Sequence, residues 1–298
     1  MSLSKSKLLS AWLVDLPEAT GYCVAYSGGV DSHVLLHLLA KRRETLSAPL
    51  SAVHVDHQIQ SQSGDWAVHC QAVCEELQIP FETLHVDGRV RPGESPEAAA
   101  RTARYRALAD WLPAGALLIT AQHQDDQAET LLLQLFRGAG PRGLSAMPRL
   151  AGLGQGHLLR PFLDYRQAEI LDYAHAHKLR WVEDPTNTDT RYDRNLLRQQ
   201  LLPQLREHWP GLTQVLARAA GLQADQSELA TALAELDLAT CGSSELPDRL
   251  RIPELLSLSP ARQRNLLRHW IELNGFKLPS LEVLKRINSE VLSAREDA

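Results

Sequence analysis

Six consecutive residues, Ser27-Gly28-Gly29-Val30-Asp31-Ser32, combine the side-chain types needed to hold a phosphate. Glycines at 28 and 29 reach dihedrals closed to other residues and let the backbone come close to a ligand. Ser27 and Ser32 add hydroxyls, and Asp31 adds a carboxylate. The run Gly21–Ala25 before them suits a buried strand, and His33–Leu39 after them suits a helix packed on a sheet. A strand turning through Ser-Gly-Gly directly into a helix presents unpaired N–H groups and about half a positive charge to an anion. The Walker pattern Gly-x-x-x-x-Gly-Lys-Ser/Thr is absent from the chain, so a different phosphate loop is indicated. A second acidic pair, Asp125-Asp126, follows the apolar run Leu118–Ala121. Asp125 is predicted to cap the next helix. Asp126, with no structural task, joins Asp31 as a candidate oxygen ligand for Mg²⁺ on bound phosphates.

These residues need a frame. Strand-like runs occur at Tyr22–Tyr26, Leu50–Val55, Phe81–Val86 and Ala116–Ala121, with a fifth at His157–Arg160. Helical stretches alternate with them at Asp31–Lys41, Gly64–Leu77, Pro96–Trp111 and Asp125–Phe136. This rhythm predicts an α/β fold, a mostly parallel Rossmann-like sheet covered on both faces. Ligands of such sheets bind at the carboxyl ends of the strands. There, His57 lies just beyond the second strand's His54-Val55-Asp56. Ser95-Pro96-Glu97 starts a helix on which Arg101 and Arg104 share a face, so that an arginine can reach a phosphate.

Beyond Pro161 one more helix is expected at Arg166–Lys178, then a polar segment, Trp181–Thr190. Tyr192–Leu202 reads as a helix that Pro203 bends or ends. Trp209-Pro210-Gly211 marks a domain boundary, giving domains at 1–210 and 211–298. The second is a small all-α domain built from Leu212–Thr240, Pro260–Asn274 and Leu281–Ala294. Its last helix is still running at Ala294-Arg295, so a further C-terminal domain is expected beyond this chain.

Composition narrows the function classes. With 298 residues, 44% hydrophobic and 22% charged, the chain is long enough for two domains. No apolar run approaches the roughly 20 residues that span a bilayer, and the N-terminus lacks a signal-peptide core, so no membrane partner and a cytoplasmic location are expected. The net charge of −5 argues against nucleic-acid binding by bulk electrostatics and leaves local basic patches for that task. The four cysteines form no Cys-x-x-Cys set, and Cys70 and Cys74, one helical turn apart, read as buried thiols. Gly152-Leu153-Gly154-Gln155-Gly156 has the wrong spacing for a dinucleotide fingerprint. His175 and His177 point apart on a helix, and the zinc deaminase pattern is missing.

The loop at 27–32 matches the signature of the PP-loop ATP pyrophosphatases. Three further patches narrow the match: Val55-Asp56-His57; His123-x-x-Asp125-Asp126-x-x-Glu129-Thr130 leading to Arg137-Gly138-Ala139-Gly140-x-x-Gly143-Leu144; and Glu183-Asp184-Pro185-Thr186-Asn187-x-Asp189-x-x-Tyr192-x-Arg194-Asn195-x-x-Arg198. With them the chain resembles the tRNA(Ile)-lysidine synthetases, which implies an adenine nucleotide alpha-hydrolase-like sheet followed by a helical domain. The resemblance implies ATP and Mg²⁺ as cofactors, and tRNA(Ile) with a CAU anticodon and L-lysine as substrates. ATP adenylates C2–O of the wobble cytidine, pyrophosphate leaves, and lysine then displaces AMP. It assigns Ser27, Gly28, Gly29, Val30, Asp31, Ser32 and His57 to the nucleotide. Asp31, Asp126 and Arg101 take catalytic roles, with Asp31 and Asp126 as metal ligands. Arg104, Glu129, Asp184, Asn187, Asp189, Arg194 and Arg198 are assigned to substrate. Glu183, Asp184 and Asp189 suit an ammonium group, and Arg191, Arg194 and Arg198, at i, i+3 and i+7, form one basic helix face, on which Arg194 and Arg198 suit tRNA phosphates and Arg191 reads as an exposed, salt-bridged arginine. The family's His-Gly-Leu-Arg is replaced by His57-Gln58-Ile59-Gln60, so no role passes to Gln60. A homodimer is also expected. Two alternatives stand beside this reading: a tRNA thiolase of the same superfamily, which needs cysteines this chain lacks, and an ATP-binding module without turnover.

Overall fold

A computed structural model describes residues 10–57, 63–86, 96–243 and 248–292. Ser95, Gln58–Gln60, the end of the last helix and the side chain of Asn187 fall outside the described parts. The chain divides into two compact units. The first holds residues up to Ala139 and Ala146–Ala220; the second holds Gly140–Ser145 and the chain from Gly221. The division thus falls later than the Trp209–Gly211 segment, and a short early segment groups with the helical unit.

The first unit is built on a six-stranded sheet in the order β3-β2-β1-β4-β6-β5. Its strands are β1 (Tyr22–Ala25), β2 (Leu50–Asp56), β3 (Phe81–His85), β4 (Leu117–Ile119), β5 (Leu150–Leu153) and β6 (Gly156–Leu159). All neighbours pair in parallel except β5 and β6. Helices α1 (Val30–Arg42), α2 (Ser63–Glu76), α3 (Pro96–Trp111), α4 (Gln124–Phe136) and α5 (Gln167–Ala176) alternate with the strands. Residues alternate across a strand, and β1 shows how both faces fill. Tyr22, Val24 and Tyr26 enter one cluster with Leu35, Leu39, Phe162 and Ile170. Cys23 enters the other with Leu108, Leu112 and Leu118. Burying each large apolar side chain contributes about 1.5–3 kcal/mol, so a strand apolar on both sides belongs in the middle of a covered sheet.

The chain leaves β1 toward β2 and β3, then returns to place β4 on the opposite side of β1. The connections after β1 and β4 therefore diverge and open a crevice at the carboxyl ends of these two strands, the usual ligand position in open α/β sheets.

The sequence reading did not contain β5. Leu150–Leu153 forms an antiparallel hairpin with β6 around Gly154, whose φ is +56°. A side chain on Gly154 would run into the Ala109 carbonyl. The glycines around 152–156 thus serve a tight turn laid against α3. At the end of the first unit, one of the two outcomes expected at Pro203, termination of the helix, does not occur. Pro203 does not stop the helix: Asp193–Leu196 (α6) passes through one π-helical turn, Leu197–Leu201, into Leu202–His208 (α7), with Pro203 at the start of the new segment. The wide turn absorbs the missing N–H and the ring, which fit at a helix start but not within one.

The second unit contains most of α8 (Leu212–Cys241) with α9 (Ile252–Ser257), α10 (Pro260–Leu273) and α11 (Leu281–Arg286). Cys241, Leu255, Leu266, Leu267, Leu284 and Leu292 make its core. Arg262 pairs with the buried Asp237, and Arg142 of the short early segment pairs with Glu272. No described helix is long and apolar enough to cross a membrane. All four cysteines are free and buried.

Candidate active site

The loop after β1 is shaped by its own hydroxyls. Ser32 Oγ donates to the Gly29 carbonyl (3.0 Å) and accepts from the Ser27 amide (3.2 Å). Ser27 Oγ lies 3.0 Å from Ser32 Oγ. Gly28 takes a φ of +84°, in the left-handed region that favours glycine. A Cβ there would sit 3.1 Å from Cys70 Sγ, so the loop rests directly on α2. The Gly28 carbonyl accepts from the Val182 amide (3.0 Å), which ties the 181–189 segment to the loop. Gly29 caps α1, and Val30 and Asp31 open it. The helix N-terminus with its unpaired amides therefore faces the crevice.

Across the crevice, α4 starts differently from the sequence reading. His123, not Asp125, is the N-cap, and Asp126 at the third helical position accepts from the His123 amide (3.0 Å) in a capping box. The cap role belongs to Asp126. Asp125 instead pairs with Arg206 (2.5 Å) and accepts from the Gln167 amide (3.1 Å).

His123 is 1% exposed and sits among three carboxylates. Its Nε2 lies 3.7 Å from Asp31 and 3.5 Å from Asp126, and its Nδ1 lies 3.6 Å from Asp125. The two acids assigned to Mg²⁺ thus meet at one imidazole. Burial pushes the Asp31 carboxyl above its usual range, aided by Asp126 and Asp125 and opposed by His123 and Arg198. Burial also pushes Asp126 upward, but His123, Arg198, the His123 amide and Arg194 outweigh it and hold this carboxyl below its usual range. Asp31 Oδ1 is buried without a hydrogen-bond partner. An orphaned carboxylate oxygen beside a second acid fits a hard cation. Among the described residues no three His, Cys, Asp or Glu side chains are placed to hold a metal alone. One or two carboxylates plus substrate phosphates is the arrangement Mg²⁺ favours.

Next to this group, Arg198 donates to both oxygens of Glu129 (2.7 and 2.9 Å) and to Asp126 (2.8 Å). Glu129 is fully buried. Arg194 lies 3.7 Å from Glu129 and donates to Thr130 Oγ1 (3.1 Å). Arg191 precedes α6 and folds back on Asp189 (2.6 Å). The salt-bridged reading of Arg191 agrees with this contact, whereas the expected outward face of Arg194 and Arg198 is corrected. These two guanidiniums turn inward to buried acids, because Glu129 and Asp126 would otherwise be buried charges with too few partners. Asp184 turns onto Thr186, accepting from its amide (2.8 Å) and hydroxyl (2.7 Å). Asn195 donates to the Thr186 and Asp189 carbonyls (both 2.9 Å) and closes this loop.

At the second strand end, His57 Nε2 accepts from Arg104 Nε (3.1 Å). Burial, then Arg104, lowers the His57 pKa to about 4, so the ring is neutral at pH 7. Arg101 is exposed and lies over the Tyr105 ring at 5.1 Å. No described contact brings it to the acids. Sequence reasoning gave no task to His123, Arg206 or Asn195. The first and last stood in quoted motifs, but only the fold shows what they touch.

A glycine-turned phosphate loop facing paired acids across the switch point of a parallel sheet defines a nucleotide-using α/β protein. The PP-loop domain family matches residues 4–205, and the chain belongs to the PP-loop family. The TilS substrate binding domain matches residues 250–298. Its curated relatives carry a specific name: the tRNA(Ile)-lysidine synthase of Pseudomonas aeruginosa is 51% identical over 90% of this chain and 62% of its own length. That of Methylococcus capsulatus is 45% identical over 97% of this chain and 66% of its own length. The chain thus spans just under two thirds of these relatives. Among solved structures, the U34-tRNA thiolase NcsA from Methanococcus maripaludis has a TM-score of 0.61 at 18% identity, covering 75% of this chain and 80% of that one. That likeness shows the shared fold.

Proposed function

We propose that this chain catalyses ATP-dependent ligation of free L-lysine to C2 of the wobble cytidine in tRNA(Ile) bearing a CAU anticodon. The observation that carries the reading is the meeting of Asp31 and Asp126 at His123, opposite the loop of Ser27–Ser32. The α1 N-terminus and loop amides bind the ATP phosphates. Asp31 and Asp126 would hold Mg²⁺, which would supply charge neutralisation for a leaving pyrophosphate. The cytidine O2 attacks the α-phosphorus as the bond to pyrophosphate breaks. The neutral ε-amine of lysine then attacks C2, the C2–O bond breaks, and AMP leaves with its electron pair while the amine proton passes to a base. His57, held by Arg104, lies on the nucleotide side. Arg101 is assigned to phosphate contact in a rotamer that leaves Tyr105. Arg104, Asp184, Asn187 and Asp189 are assigned to substrate, while Glu129, Arg194 and Arg198 support that side from beneath as an ion-paired group around Asp126. Acting on tRNA with free lysine and ATP, the protein works in the cytoplasm.

The test is pyrophosphate and AMP release from Mg·ATP with unmodified tRNA(Ile) carrying CAU, with and without lysine, and with Asp31→Ala as control. Lysine-dependent AMP release abolished by the substitution supports the ligase. ATP binding without turnover under these conditions refutes it for this chain.

A further inference from the structure

Asp125, the third acid around His123, has no task in the chemistry above. It lies on the Nδ1 side of the ring, 3.6 Å away, whereas Asp31 and Asp126 lie on the Nε2 side. Both of its oxygens are engaged. Oδ1 accepts from Arg206 Nη2 (2.5 Å), and Oδ2 accepts from the Gln167 amide at the start of α5 (3.1 Å). Arg206, on α7, is held in turn: its Nε donates to the hydroxyl of Thr213 (3.0 Å), a buried residue in the first turn of α8. The guanidinium therefore spans two fixed points, a task for which its rigid fork is suited. His123 Nδ1 is buried without a hydrogen-bond partner, and Asp125 stands just beyond reach of it. A buried polar atom left unpaired favours any movement that closes such a gap. The grip of Arg206 on Asp125 opposes that movement.

We propose that Arg206 is a positioning residue for the cation site: by holding Asp125 away from His123 Nδ1, it keeps the imidazole committed to Asp31 and Asp126. This rests on the reading of those two acids as holders of Mg²⁺. Without Arg206, the Asp125 carboxylate turns to accept from Nδ1, and the ring is drawn away from the pair on its Nε2 side. Asp31 and Asp126 then lose the group that sets their spacing. His123 is also the N-cap of α4, so its shift is carried into the helical turn that holds Asp126. Groups that orient a metal site from behind its ligands change metal affinity by about 10–100-fold. Charge alone acts in the opposite direction, since removing a cation makes the neighbourhood more negative and draws a divalent ion in more tightly. The direction of the change separates positioning from electrostatics.

Binding of Mn·ATP to the intact chain, followed by electron paramagnetic resonance without tRNA or lysine, tests this. Arg206→Met is expected to weaken binding by at least about tenfold. Thr213→Val leaves every charge in place and removes only the anchor of Arg206; it is expected to weaken binding about threefold. Arg206→Met/Asp125→Asn removes the stray carboxylate and keeps an acceptor for the Gln167 amide, so its affinity is expected to return to within about threefold of the parent. Unchanged or tighter binding in Arg206→Met overturns the proposal, as does a double variant as weak as the single one. A lower melting temperature with parental Mn·ATP affinity also overturns it, because a strut that only supports the fold behaves in that way. A parent chain that takes up no Mn·ATP overturns the role of Arg206 together with the cation site. The expected binding pattern in a chain that releases no AMP with lysine and tRNA supports the positioning role and refutes the ligase reading alone.

Discussion

Arg198 offers the sharpest test of how this site is held together. It is the main counter-charge of Glu129, whose side chain is 1% exposed, and it also reaches Asp126. Removing one partner of a buried ion pair costs about 3–5 kcal/mol, because the remaining charge stays desolvated. Here Arg198 itself is 34% exposed and Arg194 remains 3.7 Å from Glu129. Solvent screening and the second cation reduce the figure, so Arg198→Ala is expected to destabilise the first unit by about 2–3 kcal/mol. For a unit of this size that lowers the unfolding midpoint by about 4–12 °C. The assay is urea unfolding followed by circular dichroism, with the double variant Arg198→Met/Glu129→Gln as the decisive arm. Removing both charges relieves the stranded carboxylate, so the double variant is expected to lose less than about 1 kcal/mol, less than the single variant alone. A single variant within about 0.5 kcal/mol of the parent, or strictly additive effects, refutes the reasoning.

Three further outcomes are expected. Gly28→Ala forces a side chain into a left-handed backbone and against Cys70; it costs about 1–2 kcal/mol and weakens ATP binding by more than about tenfold, read by calorimetry. Asp126→Asn keeps an acceptor for the His123 amide and so preserves α4, while pyrophosphate release falls by at least about a hundredfold; loss of helix content alongside activity would instead assign Asp126 a purely structural task. The pH profile tests His37, which faces the Tyr173 hydroxyl at 3.0 Å, with His177 edge-on to it and stacked on the Tyr173 ring. Burial, then Lys41, His177 and His33, lowers the His37 pKa from 6.5 to about 4. The folded state then binds fewer protons than the unfolded one between these values, so stability present above pH 6.5 is lost as the pH falls toward 4. His37→Gln is expected to flatten that slope in melts across this window, and an unchanged slope rejects the assignment.

Much of this architecture was legible in the amino-acid order, because the deciding interactions are local or periodic. Apolar runs such as Tyr22–Tyr26 can only be central strands of a covered sheet. The Ser-Gly-Gly turn into Val30 specifies its own backbone through the glycine at 28 and the Ser32 hydroxyl. Alternation of strands and helices made the sheet parallel and placed the ligand end. The hairpin at Leu150–Leu159 was not legible, since its first strand is only four residues long, half exposed and contains a glycine. Nor was the continuation of the chain through Pro203, which depends on one wide turn.

The charged groups divide differently. Sequence named Asp31 and Asp126 by type and position, Arg194 and Arg198 by spacing, and Glu129 only through the family resemblance, but spacing describes one helix at a time. It presented the arginines as an outward face and Asp126 as an unengaged acid. Only the tertiary structure set Asp126 on the His123 amide and turned Arg198 onto Glu129. The physical reason is desolvation: whether a charge faces water or a partner depends on which other element covers it, and that is decided by packing between segments far apart in the chain.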